Sequence, residues 1–482
     1  MGLPALVTIG VSCVAPAYAL TATMGPTVSV VGEHMPAVFL LGFVPMLLVA
    51  LGYRELNADA PDSGTSFTWA TKAFGPHVGW LGGWGLVSAT IIVLSNLAGI
   101  AVEFFYLLLA EIFRMPEIVG WGQLLAVNIG TSLVFVAGTV WLCYRGATAT
   151  KAVQYALVLL QVVALVWYSV AAWRMAGDAP ALAFSWDWFN PFSIGSFGAF
   201  AAGVSLSIFI YWGWDVCLTM NEETTDGSRT PGRAAGLVIF IILALYLMVS
   251  VATMRFAGLG ETGLGLSNPS TRENVLAQMA VPVMGPFAML VAIAVLASSL
   301  ASLQSTFVSP ARTLLAMGHY RAIAERFAWV HPKYRSPGYA TVVAGVVAGV
   351  FYAVMHVVSQ HVLADTILTL GMMICFYYGL TAFACVFYFR KTLFLNARNF
   401  FLRGLAPLSG GGVLAAVFLQ TARDSMNPEF GSGSSVFGVG LVFLLGVGII
   451  LLGVGTMLVI SWHQPGFFRG ETLRRDTPSF TE

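Results

Sequence analysis

The sequence predicts an all-α polytopic membrane protein, and three observations carry that prediction. Charged residues are scarce, apolar runs of spanning length recur along the whole chain, and basic residues segregate into alternate connections. Of 482 residues, 58% are hydrophobic and 9% charged, with a mean hydropathy of +0.82. Soluble chains carry about 25% charged residues, so 23 basic and 22 acidic side chains cannot solvate a soluble surface of this size. A net charge of +1 gives no footing for nucleic acid, and the apolar content excludes intrinsic disorder.

A spanning helix takes about 20 apolar residues. Twelve such runs are expected, the first at 3–31 and interrupted by Pro16. The second and third lie at 36–54 and 78–109, the latter carrying Glu103. The fourth and fifth lie at 122–143 and 152–173, with Gln161 in the fifth. The sixth, 195–220, holds Gly213 and Asp215, and the seventh is 234–254. The eighth, 283–311, includes Ser298, Ser299 and Ser302; the ninth is 339–359. The tenth, 362–389, includes Tyr377 and Tyr378, and 404–422 and 436–462 complete the set. The runs lack the alternation of barrel strands, which leaves helices as the spanning elements. Short connections leave no room for a separate soluble domain.

Ala17-Tyr18-Ala19 looks like a signal-peptidase site, but no Lys or Arg precedes it and the apolar pattern continues to Val31. The first run is therefore read as a retained span, and the missing basic flank is compatible with a start further upstream. Cys13, Cys143, Cys217, Cys375 and Cys385 lie within or at the ends of runs and form no CxxC pair, so they are read as packing residues. With the amino terminus inside, eighteen of the 23 Lys and Arg residues face the cytoplasm, among them Lys151, Arg312, Lys333 and Arg398. Five, including Arg114 and Arg272, face outside. The positive-inside rule then places both termini in the cytoplasm of a cell-membrane protein.

Two acids fall inside the runs. A carboxylate at the bilayer centre costs about 2.5–3.5 kcal/mol, so each needs a reason to be there. Asp215 closes Tyr211-Trp212-Gly213-Trp214-Asp215, where one glycine among bulky aromatics weakens the helix and lets the backbone open. The plainer reading is a packing glycine with an acid tied to a neighbouring helix. In the first run, Ser12-Cys13-Val14-Ala15-Pro16 should kink or stop, because Pro16 lacks an N–H and obstructs the preceding turn. A break would leave the amides of Ala17, Tyr18 and Ala19 at a positive helix end suited to a carboxylate. The carbonyls before it, around Val11 to Cys13, would attract an ammonium group. Paired breaks in corresponding helices of two halves point to a transporter site between inverted repeats.

At this point a family resemblance enters. Ala60-Pro61-Asp62-Ser63-Gly64-Thr65-Ser66-Phe67-Thr68-Trp69, with Phe74-Gly75-Pro76 and Gly79-Trp80 beyond, resembles a signature of the amino acid–polyamine–organocation (APC) superfamily. Thr65 and Phe67 depart from the family's glycine and tyrosine. Asn221-Glu222-Glu223-Thr224 followed by Arg229, Pro231 and Arg233 is similar to the segment that ends helix 6, and Trp329 to Pro337 to the link between helices 8 and 9. The resemblance implies a five-plus-five inverted repeat: helices 1–5 in 1–175, helices 6–10 in 176–391, helices 11–12 in 392–464, and a cytoplasmic tail, 465–482. Helices 1 and 6 would be discontinuous.

It also implies substrate at the centres of helices 1 and 6. Those centres fall here on Ser12 to Pro16 and on Phe209 to Asp215, with Phe209 as a gating aromatic. The Gly-x-Gly core common at the first centre is replaced by Ser-Cys-Val-Ala-Pro-Ala-Tyr. Some relatives place a lysine midway along helix 5; an ungapped alignment puts Gln161 there, and glutamine exchanges no proton.

The resulting expectation is a secondary transporter for an amino acid, polyamine or small amine, with no cofactor and no metal centre. Carboxylate would sit at Ala17, Tyr18 and Ala19, and amine against carbonyls around Ser12, Cys13 and Ala15. Phe209, Tyr211, Trp212, Gly213 and Trp214 would cover it. Asp215 would take a proton on one side and release it on the other; Ser298, Ser299 and Ser302 with Gln161 are the sites for a less favoured sodium ion. Glu103 would either select for a cationic substrate or tie two helices, and Tyr377 and Tyr378 would line the path or pack. Exchange of basic amino acids or polyamines is the alternative mode. An enzyme and a channel are disfavoured, since no HExxH, paired-Asp or filter-like motif occurs.

Overall fold

The computed structural model describes all residues except 147–150, 178–179, 273, 359–361 and 479–482. The last four residues of the predicted tail, and the side chain of Lys151, lie outside the described residues. Eleven helical segments among the described residues are long and apolar enough to cross a membrane. The first, Leu3–Asp59, has 57 residues. At 1.5 Å per residue that is about 85 Å, nearly three times the hydrocarbon thickness.

This segment is built from three helices. Helix α1 (Leu3–Val14) ends at Ala15, which is left-handed (φ 53°, ψ 63°) and donates its N–H to Val11 O at 3.2 Å. Helix α2 (Pro16–Val31) starts on the proline, whose fixed φ suits a first helical position. A turn at Gly32–His34 reverses the chain into α3 (Met35–Asp59). Next come α4 (Ser66–Phe74), in a stretch read from sequence as a connection, and the 38-residue α5 (Pro76–Phe113). Helices α6 (Leu125–Tyr144) and α7 (Lys151–Ala176) follow.

The sixth predicted run is not one helix. Ser196 caps α8 (Phe197–Ile210), its hydroxyl accepting from the Ala199 N–H at 3.1 Å. Helical geometry lapses at Gly213 (φ 107°) and resumes as a 3₁₀ segment, Trp214–Glu223. After α9 (Thr230–Ala257), the short α10 (Val275–Met284) precedes α11 (Ala288–His319), so the eighth run starts later than the 283 expected. The chain ends with α12 (Gly338–Val358), α13 (Val362–Tyr388), α14 (Ala406–Asp424) and α15 (Leu441–His463). One small departure from an all-helical chain is a two-residue antiparallel pairing, Ser435–Val436 with Val439–Gly440.

Helix α5 runs along α11 and α13, while α3 and α7 flank α9. The main core gathers the two broken segments with α3, α5, α11 and α13. A second core lies at the end predicted to face inward, where Phe67, Trp80 and Tyr320 receive Phe467 and Leu473 from the tail. At the same end the buried Glu55 of α3 accepts from Arg398 Nη2 at 2.7 Å and Arg403 Nε at 2.8 Å. Its side chain is 3% exposed, Arg403 20% and Arg398 58%, so solvent screens part of this pairing. Arg54 Nη2 lies 3.7 Å from the same carboxylate, so Glu55→Gln leaves three guanidinium groups without this counter-charge. It should lower stability by about 1–3 kcal/mol, read as an earlier thermal midpoint in detergent; an unchanged midpoint would show the pairing to be neutral.

Candidate substrate and coupling site

The two interruptions meet. A Cβ placed on Gly213 would lie 3.1 Å from both the carbonyl carbon and Sγ of Cys13, and 3.2 Å from the Val14 nitrogen. Backbone therefore packs on backbone where α1 stops and the 3₁₀ segment begins, which is why a residue without a side chain stands there. Of the three amides expected to be free at the start of α2, that of Ala19 donates to Ala15 O at 2.9 Å. Ala17 and Tyr18 remain at the helix start, both buried.

On the α1 side the network is polar. The Ser12 hydroxyl donates to Gln154 Oε1 at 2.7 Å and accepts from Ser305 at 3.3 Å. Gln154 Nε2 donates to Ala301 O at 3.1 Å and to Gln304 Oε1 at 2.9 Å. One amide on α7 thus bridges α1 and α11. Ser302 donates to the Cys13 carbonyl at 2.8 Å, and Cys13 Sγ lies 3.3 Å from Thr306 Oγ1.

Gln161, placed at this junction by alignment, sits two turns further along α7. It is fully buried, with neither end of its amide hydrogen-bonded within the protein. Ser298 and Ser299 are likewise buried with unbonded hydroxyls. Gln154, seven residues before Gln161 on the same helix face, is an equally polar residue in the same apolar run, so sequence alone does not say which of the two forms the bridge.

The aromatic residues of helix 6 divide. Only Phe209 faces the start of α2, its ring edge-on to Tyr18 at 6.2 Å. Tyr211 packs against Phe43 and Tyr246, toward α3 and α9. Trp214 packs against Tyr53 and Tyr378, at 5.0 and 4.9 Å. Trp212 Nε1 donates to the Tyr377 hydroxyl. Asp215 is buried on this same side: Tyr378 donates to Oδ1 at 2.8 Å and Tyr377 to Oδ2 at 3.3 Å. Both oxygens thereby hold the 3₁₀ segment to α13. Glu103 accepts from Nδ2 of Asn274, the residue that precedes α10.

A cavity of about 640 Å³ reaches this region from the end that carries Cys143, Gly146, Tyr155 and the 333–337 segment. Thr8 and Ile9 line it along with Gln154 and Ser305. At its mouth Arg312 pairs with Glu222 at 3.1 Å and with Glu223. At the opposite end Glu33, His34 and Asp187 place possible metal-ligand atoms within 4.8 Å of one another. His34 Nδ1 is 3.1 Å from the Asp187 carbonyl, and hydrogen bonds from Asn190 and Ser193 hold the Asp187 carboxyl below the usual carboxylate range.

Comparison with known proteins agrees with the fold. The family described as "Amino acid permease" matches residues 5–452. The chain is similar to the low-affinity putrescine importer PlaP of Escherichia coli, at 23% identity over 84% of each chain. It is also similar to the branched-chain amino acid permease BcaP of Lactococcus lactis, at 25% identity over 46% of this chain and 47% of that one. The crystal structure of MhsT in complex with L-phenylalanine shares the fold, with a TM-score of 0.59 and 17% identity over 86% of this chain and 98% of that one.

Proposed function

The chain belongs to the amino acid permease family, and from that premise we propose that it carries an amino acid or related amine across the cell membrane by alternating access, coupled to protons through Asp215. It is a multi-pass carrier and not an enzyme. The proposed architecture is twelve spans, with Leu3–Asp59 crossing twice, a five-plus-five inverted repeat, discontinuous helices 1 and 6, and both termini in the cytoplasm. The observation behind the reading is the contact of Cys13 and Val14 with Gly213. Two opened backbones meet there, close to a cavity that opens at the end bearing most of the basic residues.

In this reading the substrate carboxylate binds the amides of Ala17 and Tyr18, where aligned peptide dipoles favour an anion. The amine turns toward the carbonyls around Ser12 and Cys13, and Phe209 closes over the site against Tyr18. Substrate then biases the two-state equilibrium by binding the occluded form more tightly. Asp215 acts beside the substrate rather than on it: changing its charge changes what Tyr377 and Tyr378 can donate to, and so how helix 6 sits on α13. Gln161, Ser298 and Ser299, buried and unbonded, are the groups that a sodium ion would use instead. Similarity to a putrescine importer and to a branched-chain permease leaves both a diamine and a neutral amino acid on the substrate panel.

The test is uptake into proteoliposomes of labelled amino acids and polyamines. Each is run under an inward proton gradient, an inward sodium gradient, or with substrate preloaded inside. Proton-driven accumulation supports the proposal, and sodium-driven accumulation moves coupling to the Gln161–Ser298 region. Stimulation by preloading alone makes the protein an exchanger and leaves Asp215 a structural role.

A further inference from the structure

Away from the cavity, a small polar cluster joins three elements distant in sequence. Asn274 stands at the start of α10, yet its side chain does not cap that helix. Its Oδ1 accepts from the Thr21 hydroxyl of α2 at 2.9 Å, and its Nδ2 donates to Glu103 of α5. The same Thr21 hydroxyl accepts from the Leu276 N–H at 3.2 Å. Thr21 is fully buried and Asn274 is 9% exposed. One turn further along α2, Gly25 shares the Thr21 face. A Cβ there would meet the carbonyl oxygen of Arg272 at 2.2 Å and its Cα at 2.3 Å. Two successive turns of α2 are therefore fastened, one by hydrogen bonds to Asn274 and Leu276 and one by direct backbone contact with Arg272.

The left-handed residue Ala15 separates α2 from α1, so the two helices are distinct bodies joined at that point. Glu103 lies on α5, which packs along α11 and α12. Asn274 is the side chain that bonds both α2 and α5, and it does so with opposite ends of one amide. We propose that Asn274 is a positioning residue of the transport cycle: it clasps the outer half of helix 1 to helix 3 through Thr21 and Glu103, and its release lets the carrier face outward. This inference rests on the carrier reading and on the orientation proposed with it. Geometry dictates the chemistry of the clasp. A side-chain amide pairs an acceptor oxygen with a donor nitrogen, and here the oxygen meets a hydroxyl while the nitrogen meets a carboxylate. An aspartate in its place keeps the acceptor, loses the donor, and sets two carboxylates against each other.

The experiment reads the clasp without using substrate. A membrane-impermeant thiol reagent is applied to the outer face of intact cells, and modification of Cys13 is followed by mass spectrometry of its peptide. Cys13 is buried beside the helix breaks, below the clasp. In Asn274→Asp the labelling rate of Cys13 should rise on the order of tenfold, the weight of one hydrogen bond to a charged group. Adding Glu103→Gln supplies an amide donor to the new carboxylate and should return labelling to near the parent rate. Glu103→Gln alone keeps a carbonyl acceptor and should change it little. Thr21→Val, which removes the hydroxyl at constant shape, carries the test should Asn274→Asp not elute as a folded species. Parent-rate labelling in both Asn274→Asp and Thr21→Val, or a rise that Glu103→Gln does not reverse, overturns the proposal. A protein that transports normally while Cys13 labelling stays constant refutes the clasp alone. One that moves no substrate but shows the labelling pattern keeps the clasp and loses the transport reading.

Discussion

Asp215→Asn should abolish accumulation driven by an inward proton gradient while leaving counterflow between equal pools of substrate in place. Asparagine matches aspartate in shape, so the packing around this buried position is preserved. What changes is the hydrogen-bond inventory. Each carboxylate oxygen now accepts from one phenol, Oδ1 from Tyr378 and Oδ2 from Tyr377. The amide keeps one acceptor and presents a donor where the second acceptor was. The tyrosine hydroxyl that faces the amide nitrogen must then accept where it had donated, and the charge that a proton could cancel is gone. A hydrogen bond to a charged group contributes about 1.5–3 kcal/mol, so the loss amounts to roughly ten- to hundredfold in any step that depends on it. Uptake with and without a pH difference, set beside counterflow in the same vesicles, separates coupling from binding. Proton-driven uptake at the parent rate would remove Asp215 from the coupling path. Tyr378→Phe, which deletes one donor and keeps the carboxyl, should weaken coupling less than Asp215→Asn does.

How much of this site could be read from sequence follows from which forces are local. Pro16 lacks an amide hydrogen wherever it stands, so the stop near Ala15 was legible in five residues. Gly213 among aromatics was legible for the same reason. Helix extents followed from hydropathy because lipid forces every backbone group to bond within its own segment. Partnerships between helices did not follow. Gln154 and Ser12 are 142 residues apart, and Asn274 and Thr21 are 253 apart; nothing local distinguishes Gln154 from Gln161. The facing of Tyr211, Trp212 and Trp214 was hidden by the opening at Gly213 itself. A positive φ there resets the rotation, so helical periodicity ceases to say which neighbour each ring meets. Asn274 carried no signal, since it sits in a polar connection where asparagine is ordinary.

Gly213→Val should leave a folded protein that no longer transports. At φ 107° a β-branched residue stands outside its allowed backbone regions. Holding an L-residue at positive φ costs roughly 1–2 kcal/mol, and forcing methyl groups into a packed contact about 1–3 more. The sum is less than the ~5–15 kcal/mol by which folded domains are held, so displacement is the expected response rather than unfolding. The atoms in the way are the Cys13 carbonyl carbon and the Val14 nitrogen, at 3.1 and 3.2 Å from the first added carbon. They belong to backbone that forms the proposed amine site, so the strain is relieved by parting the two breaks. Uptake should fall by more than tenfold while size-exclusion elution stays monodisperse, and Gly213→Ala should fall between the parent and valine. Ala15→Gly makes the opposite case, because glycine accepts the left-handed conformation that alanine adopts there at φ 53° without the Cβ penalty. That variant should keep transport, its stability moving by no more than about 1 kcal/mol as backbone relief offsets the added freedom of the unfolded chain. Parent-level uptake by Gly213→Val would mean that helices 1 and 6 do not need to touch at this point, and the substrate would have to be sought elsewhere along the cavity.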